Sequence, residues 1–244
     1  METYTQLLIL QLIAHLLADF IFQSDLWARH KRRFGFRSRI LYWHIIIVFA
    51  LSFLFSFRLN FIFPALMISI FHLVIDGFKS NMGNVRFRKK KPFQKMTFFI
   101  DQLLHLFVIS LTIFIFTNIF GLEQKVIVTI SNHYLLIILG YLLCLKPTNI
   151  LIKEIFTIYN IKITLDTKDD LLNAGKLIGN IERILALTLL LIGQYEAIGF
   201  IIAGKSILRY EGKKTSKTEY VLIGTLLSFG IAILIGVTII KLNY

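Results

Sequence analysis

Apolar runs about as long as a bilayer is thick fill most of this chain, and they leave few folds open to it. A helix needs about 20 predominantly apolar residues to cross the hydrocarbon core. Runs of that order cover Leu7–Trp27, Ile40–Phe57, Phe61–Phe78, Thr97–Phe120, Val126–Leu145, Leu171–Ile192 and Tyr220–Ile240. They are continuous rather than alternating, which excludes a transmembrane barrel. The 244 residues are 56% hydrophobic, with a mean hydropathy of +0.72, well above a soluble average. The expected fold is all-α: a polytopic transmembrane helical bundle of about seven or eight segments. Ala197–Leu208 is too short for a straight crossing and is expected to be short or re-entrant. The first run lacks a basic leader and a small-residue cleavage site, so it reads as a retained helix.

The formal charge of +13 falls between these runs. On a soluble protein it would suggest nucleic acid. Here Arg29, Lys31, Arg32, Arg33, Arg37 and Arg39 follow the first run, and Arg86, Arg88, Lys89, Lys90 and Lys91 follow the third. The positive-inside rule explains them as cytoplasmic loops beside anionic lipid, with the N-terminus outside and no nucleic-acid partner. The fifth region ends at Leu145 or, past Pro147, at Ile155, and Gly121–Lys125 reads as an external turn. The polar stretch Ile161–Asp170 separates a C-terminal module, with Asp169 or Asp170 as a helix cap. Three parts are expected: residues 1–120, a connecting segment 121–160, and 161–244. The single cysteine, Cys144, allows neither an internal disulfide nor a cysteine metal cage.

Four of the six histidines lie in apolar runs, and three stand four residues from an aspartate: His15 with Asp19, His72 with Asp76, and His105 with Asp101. The fourth is His44. Residues i and i+4 share a helix face, and ionisable groups at membrane depth mark functional sites by default. The expected topology gathers all seven side chains near the cytoplasmic ends of four helices. Imidazole and carboxylate together suit zinc, manganese or iron(II). The expected metal ligands are therefore His15, Asp19, His44, His72, Asp76, Asp101 and His105, holding one or two divalent ions, with Asp19, Asp76 and Asp101 as catalytic carboxylates. Gln23 and Gln102 are expected to orient them. His30 and His133 read as solvated or interfacial. Cross-helix hydrogen bonding or a proton relay is the competing use of such pairs.

The segments His15-Leu-Leu-Ala-Asp-Phe-Ile-Phe-Gln23, His72-Leu-Val-Ile-Asp76 and Asp101-Gln-Leu-Leu-His105 resemble those of the DUF3307 family of bacterial integral membrane proteins over residues 5–120. Gly175–Arg183, Ile198–Arg209 and Glu219–Ser228 resemble the C-terminal part of many members. The resemblance implies an inner-membrane location and no particular activity.

In the second module, Gly175 and Gly179 form a small-xxx-small face expected to pack closely against another helix. Lys176, Arg183, Lys205 and Arg209 are expected to bind an anionic group, the last two at i and i+4. The expected function is a membrane-embedded metal-dependent hydrolase acting on an amphipathic phosphorylated or acyl substrate, a lipid among the candidates. The alternatives are an ion- or proton-coupled transporter using the His/Asp pairs, and a membrane scaffold or signalling component with a soluble cytoplasmic partner or a second copy of itself.

Overall fold

A computed structural model describes residues 2–84, 91–120, 130–161, 174–209 and 215–242. Every element among them is helical. The chain divides into two compact units, Met1–Leu139 and Gly140–Tyr244. The second basic loop at 85–90, the turn at 121–125, the Asp169/Asp170 cap and the side chain of Arg209 lie outside the described residues.

In the first unit, α1 (Glu2–Leu16) runs on into a π-helical turn, Leu17–Phe22. Gln23 closes that turn by donating to the Asp19 carbonyl at 3.4 Å. Ser24 then caps α2 (Asp25–Phe34), its hydroxyl accepting from the Trp27 amide. Ser38 caps α3 (Arg39–Ser56) in the same way. After a short turn at Phe57 and Arg58 come α4 (Ile62–Asn84) and α5 (Lys91–Phe120). The helices α1, α3, α4 and α5 pack in a ring, and α2 lies against α4. Two expectations change here. The first span ends at Phe22, because the chain breaks at Gln23 and Ser24. Arg29–Arg33, expected in a loop, stand on an amphipathic helix.

One half of this bundle is closed by Leu7, Phe61, Ala65, Ile113 and Phe116, all buried, with Phe61 edge-on to Phe116 at 5.1 Å. The other half, which carries α2, holds the polar residues. The corner after α2 is seated by Gly77: a Cβ there would stand 2.0 Å from Phe36 Cε1.

The second unit is built on α8 (Ala174–Leu191) against α10 (Thr215–Leu242), with α7 (Lys146–Ile158) and α9 (Tyr195–Arg209) beside them. α6 (Asn132–Cys144) crosses the division between the units. It meets α7 at a 46° bend. Pro147 has no amide to give Leu143, and the Thr148 hydroxyl donates to that carbonyl instead, at 2.6 Å. The close packing of this unit is at Gly236, whose added Cβ would lie 2.5 Å from Leu190 Cδ2, and at Gly140, 2.6 Å from Ile239 Cδ1. This corrects the expected Gly175/Gly179 face. Nothing lies within 4 Å of a Cβ on Gly175, and Gly179 meets only Arg183 of its own helix.

Among the described residues, five helices are long and apolar enough to cross a membrane, or up to six if the bent α6–α7 pair is one span. The chain is a helical membrane protein. The sequence count of seven or eight exceeds this for physical reasons. α8 carries Lys176, Glu182 and Arg183, and α9 has 15 residues, about 22 Å of helix.

G77V is expected to displace Phe36 and destabilise the protein by about 1–3 kcal/mol. G175A, at an open helical position, is expected to be neutral or stabilising by up to about 1 kcal/mol. Thermal unfolding of both variants in detergent checks the contrast.

Candidate metal centre

The helix faces bring the expected residues together. Along α1, Gln11, His15 and Asp19 follow at intervals of four, with the π turn carrying Asp19. On α3, His44 and Ser52 share the buried face. α4 contributes His72 and Asp76, and α5 contributes Asp101 and His105. His15, His44, His72, Asp76, Asp101 and His105 are buried, and Asp19 nearly so. The rings form a continuous cluster: His44 to His72 at 5.0 Å, His72 to His105 at 4.1 Å and His105 to His15 at 5.2 Å between centroids.

The shortest contacts run between helices. His44 Nε2 is 3.0 Å from His72 Nε2, and both are 3.3 Å from Asp19 Oδ1. Within the sequence pairs the separations are longer: 4.0 Å for His15–Asp19, 3.8 Å for His72–Asp76 and 3.9 Å for His105–Asp101. The three close atoms form a nearly equilateral triangle. The centre of such a triangle is about 1.9 Å from each corner, so an ion slightly out of its plane has the roughly 2.0–2.2 Å bonds that zinc makes to imidazole and carboxylate. Asp76 Oδ2 lies 3.7 Å from His44 Nε2 on the border of the same site.

A second grouping adjoins it. Ligand atoms of Asp76, Asp101 and His105 all lie within 4.8 Å of one another, as do those of His15, Asp19 and His72. His105 Nδ1 is 2.8 Å from the Asp101 carbonyl, which can only accept. That bond fixes the tautomer and leaves the lone pair on Nε2. Among the described residues three buried atoms of the cluster have no hydrogen-bond partner: His44 Nδ1, Asp101 Oδ1 and His105 Nε2. Buried polar groups in this condition are rare, and an ion or water is a common explanation. The buried His/Asp groups are suited to hold a metal ion.

Two cations missed in the sequence reading belong to the site. Lys31, 6% exposed, is the one buried side chain of α2, and its Nζ donates to Asp76 Oδ2. Lys79 donates to Asp101 Oδ2 at 2.6 Å, and Gln102 Nε2 donates to the same oxygen at 3.1 Å. Gln102 Oε1 also approaches His15 Nε2 at 3.5 Å. The sequence offers only a general signal for Lys31: three intramembrane carboxylates call for cations, and the structure shows that Lys31 is the buried position of α2. His30, by contrast, is tied to Ser38 Oγ at 2.8 Å outside the cluster. Deeper in the bundle Gln11 and Ser52 exchange two hydrogen bonds, Gln11 Nε2 to the Ser52 carbonyl at 2.9 Å and Ser52 Oγ to Gln11 Oε1 at 2.6 Å. Between them and His15 is a cavity of ≈ 10 Å³, about the room of one water.

Of the residues expected to bind an anion, Arg183 and Lys205 have partners within the second unit. Arg183, 1% exposed, donates from Nε to the Cys144 carbonyl at 2.6 Å, from Nη1 to Ser228 Oγ at 2.8 Å, and from Nη2 to Asn149 Oδ1 and Asn180 Oδ1 at 2.7 Å each. It closes the carbonyl at the α6–α7 break and joins α7, α8 and α10. Lys205 pairs with Glu182 at 2.5 Å. Lys176 is exposed near the start of α8.

Residues 7–137, more than half of the chain, match the family described as "Protein of unknown function (DUF3307)", and the chain belongs to that family. Among curated proteins and among solved structures nothing matches it.

K31M is expected to leave Asp76 buried without its cation and to destabilise the protein by about 3–5 kcal/mol. Adding D76N should recover most of that loss, which a double-mutant cycle in detergent measures. In the second unit R183M is expected to cost at least about 3 kcal/mol through its stranded acceptors. K205A, with a partly exposed partner, should cost no more than about 1 kcal/mol.

Proposed function

We propose that the chain is a membrane-embedded metal-dependent hydrolase whose ion is held by His44, His72 and Asp19. The observation that carries this reading is the triangle of their three close ligand atoms. Two imidazoles and one carboxylate make a three-ligand set, and catalytic zinc sites use three protein ligands and leave a position for water or substrate, whereas structural sites use four. A divalent ion in such a site lowers the pKa of a bound water toward neutrality and polarises the bond it attacks.

The neighbouring groups have definite parts in that chemistry. His105 Nε2, with its lone pair, and Asp101 Oδ1 are buried bases without partners among the described residues. Asp76 borders both ligand groupings and is the natural bridge if a second ion binds beside Asp101 and His105. Lys31 and Lys79 offset the carboxylate charge and supply cations near a developing oxyanion. The expected substrate is amphipathic, with a phosphoryl or acyl ester at the depth of the site. By the positive-inside rule the α2 end faces the cytoplasm of a bacterial inner membrane.

A proton- or ion-coupled transporter is the second reading, favoured by the 3.0 Å contact between two imidazoles. A transporter needs a path at both ends. The buried apolar layer of Leu7, Phe61, Ala65, Ile113 and Phe116 beyond the site supports the one-sided arrangement of an enzyme.

Metal analysis of the purified full chain tests the proposal. One or two equivalents of zinc or manganese are expected, with H44A, H72A and D19A each losing the ion bound at the triangle. Q102A should retain it, because Gln102 bonds Asp101 and approaches His15 rather than any ligand of the triangle. Wild-type protein that retains no divalent ion after resupply refutes the reading. Iron(II) as the only ion taken up would instead favour the redox chemistry that two histidines and a carboxylate also support.

A further inference from the structure

The face of α2 opposite the metal centre has the character of a lipid-docking surface. The inner face of α2 directs Lys31 to Asp76. Its outer face presents Arg29, Arg32 and Arg33 at i, i+3 and i+4, all exposed, with Leu26 on the same face 68% exposed. The corner into α3 adds exposed Arg37 and Arg39. Directly after them Tyr42 and Trp43 are exposed, Trp43 to 60%. Tryptophan and tyrosine favour the headgroup level of a bilayer. An amphipathic helix with arginines and an apolar tip lies in that plane and is drawn to anionic lipid. His44 follows Trp43 immediately, so the cluster begins at the depth where a phospholipid carries its phosphate and ester bonds.

We infer that the α2–α3 corner docks the headgroup of an anionic phospholipid, Arg29, Arg32, Arg37 and Arg39 taking the phosphate and Leu26 and Trp43 the start of the acyl chains. As a substrate surface this rests on the hydrolase reading, and it narrows that substrate to a membrane lipid presented from the side. Arginine suits the role because its planar donors meet phosphate two at a time. The arginines belong to the same helix that delivers Lys31 to the site, so a docked headgroup and the metal centre share one rigid element.

The chain has two tryptophans, Trp43 at this corner and Trp27 in the first turn of α2, so intrinsic fluorescence reports on α2 and the corner. The full chain is reconstituted in phosphatidylcholine vesicles containing a fixed fraction of brominated lipid, either phosphatidylglycerol or phosphatidylcholine. Bromine on phosphatidylglycerol is expected to quench more strongly at equal fraction. The preference should fall about fivefold for each arginine removed, read in R29Q/R32Q and separately in R37Q/R39Q. Soluble glycerol phosphate should not relieve the quenching. Equal quenching by the two lipids, a preference that survives both double variants, or relief by glycerol phosphate would each overturn the inference. The readout involves neither metal nor turnover, so it can fail while the metal analysis succeeds, and the reverse.

Discussion

Three carboxylates buried in an apolar helical bundle are the constraint on which the first unit is organised. An unpaired charge in such surroundings is costly, and each aspartate must be met by something it can bond. Each is met differently. Asp19 faces two imidazoles, Asp76 takes the Lys31 ammonium, and Asp101 takes Lys79 and Gln102. Lys79 comes from the turn after Asp76 on the same helix. Lys31 must come from elsewhere, and much of the local architecture serves to bring it. The chain breaks after the π turn, Ser24 starts α2, Ser38 ends the corner, and Gly77 makes room for Phe36 so that α2 lies down on α4.

The same constraint accounts for the one-sidedness of the bundle. Polar groups that can satisfy one another gather at the end where α2 supplies cations. Away from it the polarity thins to the Gln11–Ser52 pair, which is self-satisfied by two hydrogen bonds, and then gives way to close-packed Leu7, Phe61 and Ile113. The π-helical turn belongs to this arrangement. Its wider ladder lets α1 set Asp19 against His44 and His72 of two other helices. Such turns inside α-helices often occur at functional sites.

Much of the site was legible in the sequence, because four-residue spacing on helices and the alternation of basic loops suffice to place seven side chains at one end of four spans. The closest grouping within it was less legible. Pairing by i and i+4 identifies the residues, yet the closest contacts are between helices, and His44, which has no aspartate partner in its own helix, belongs to the tightest triangle. Helix rotation and depth decide that, and neither is written in spacing. Lys31 was hidden because a lysine among five arginines after a span reads as a topology signal. In the second unit small-xxx-small spacing pointed to Gly175, while the close approach is at Gly236 and Gly140. Spacing alone does not say which face of a helix is covered.

Buried cations in the two units answer to different needs. Arg183 has no carboxylate partner among the described residues, but its bonds go to four neutral acceptors on fixed backbone and side chains, among them the carbonyl exposed by the α6–α7 break. A guanidinium offers five donors in a fixed plane, and here that plane ties three helices. A group so fully engaged has little left to offer a ligand. The His/Asp cluster is the opposite case. Lys31, Lys79 and Gln102 occupy one oxygen each of Asp76 and Asp101, while His44 Nδ1, Asp101 Oδ1 and His105 Nε2 remain buried without partners among the described residues. Leaving a buried polar atom unbonded costs about 1–3 kcal/mol, and a chain that satisfies its polar groups as thoroughly as this one does at Arg183 and at Gln11–Ser52 has the means to avoid it. That three such atoms are left within one cluster supports the proposed metal site.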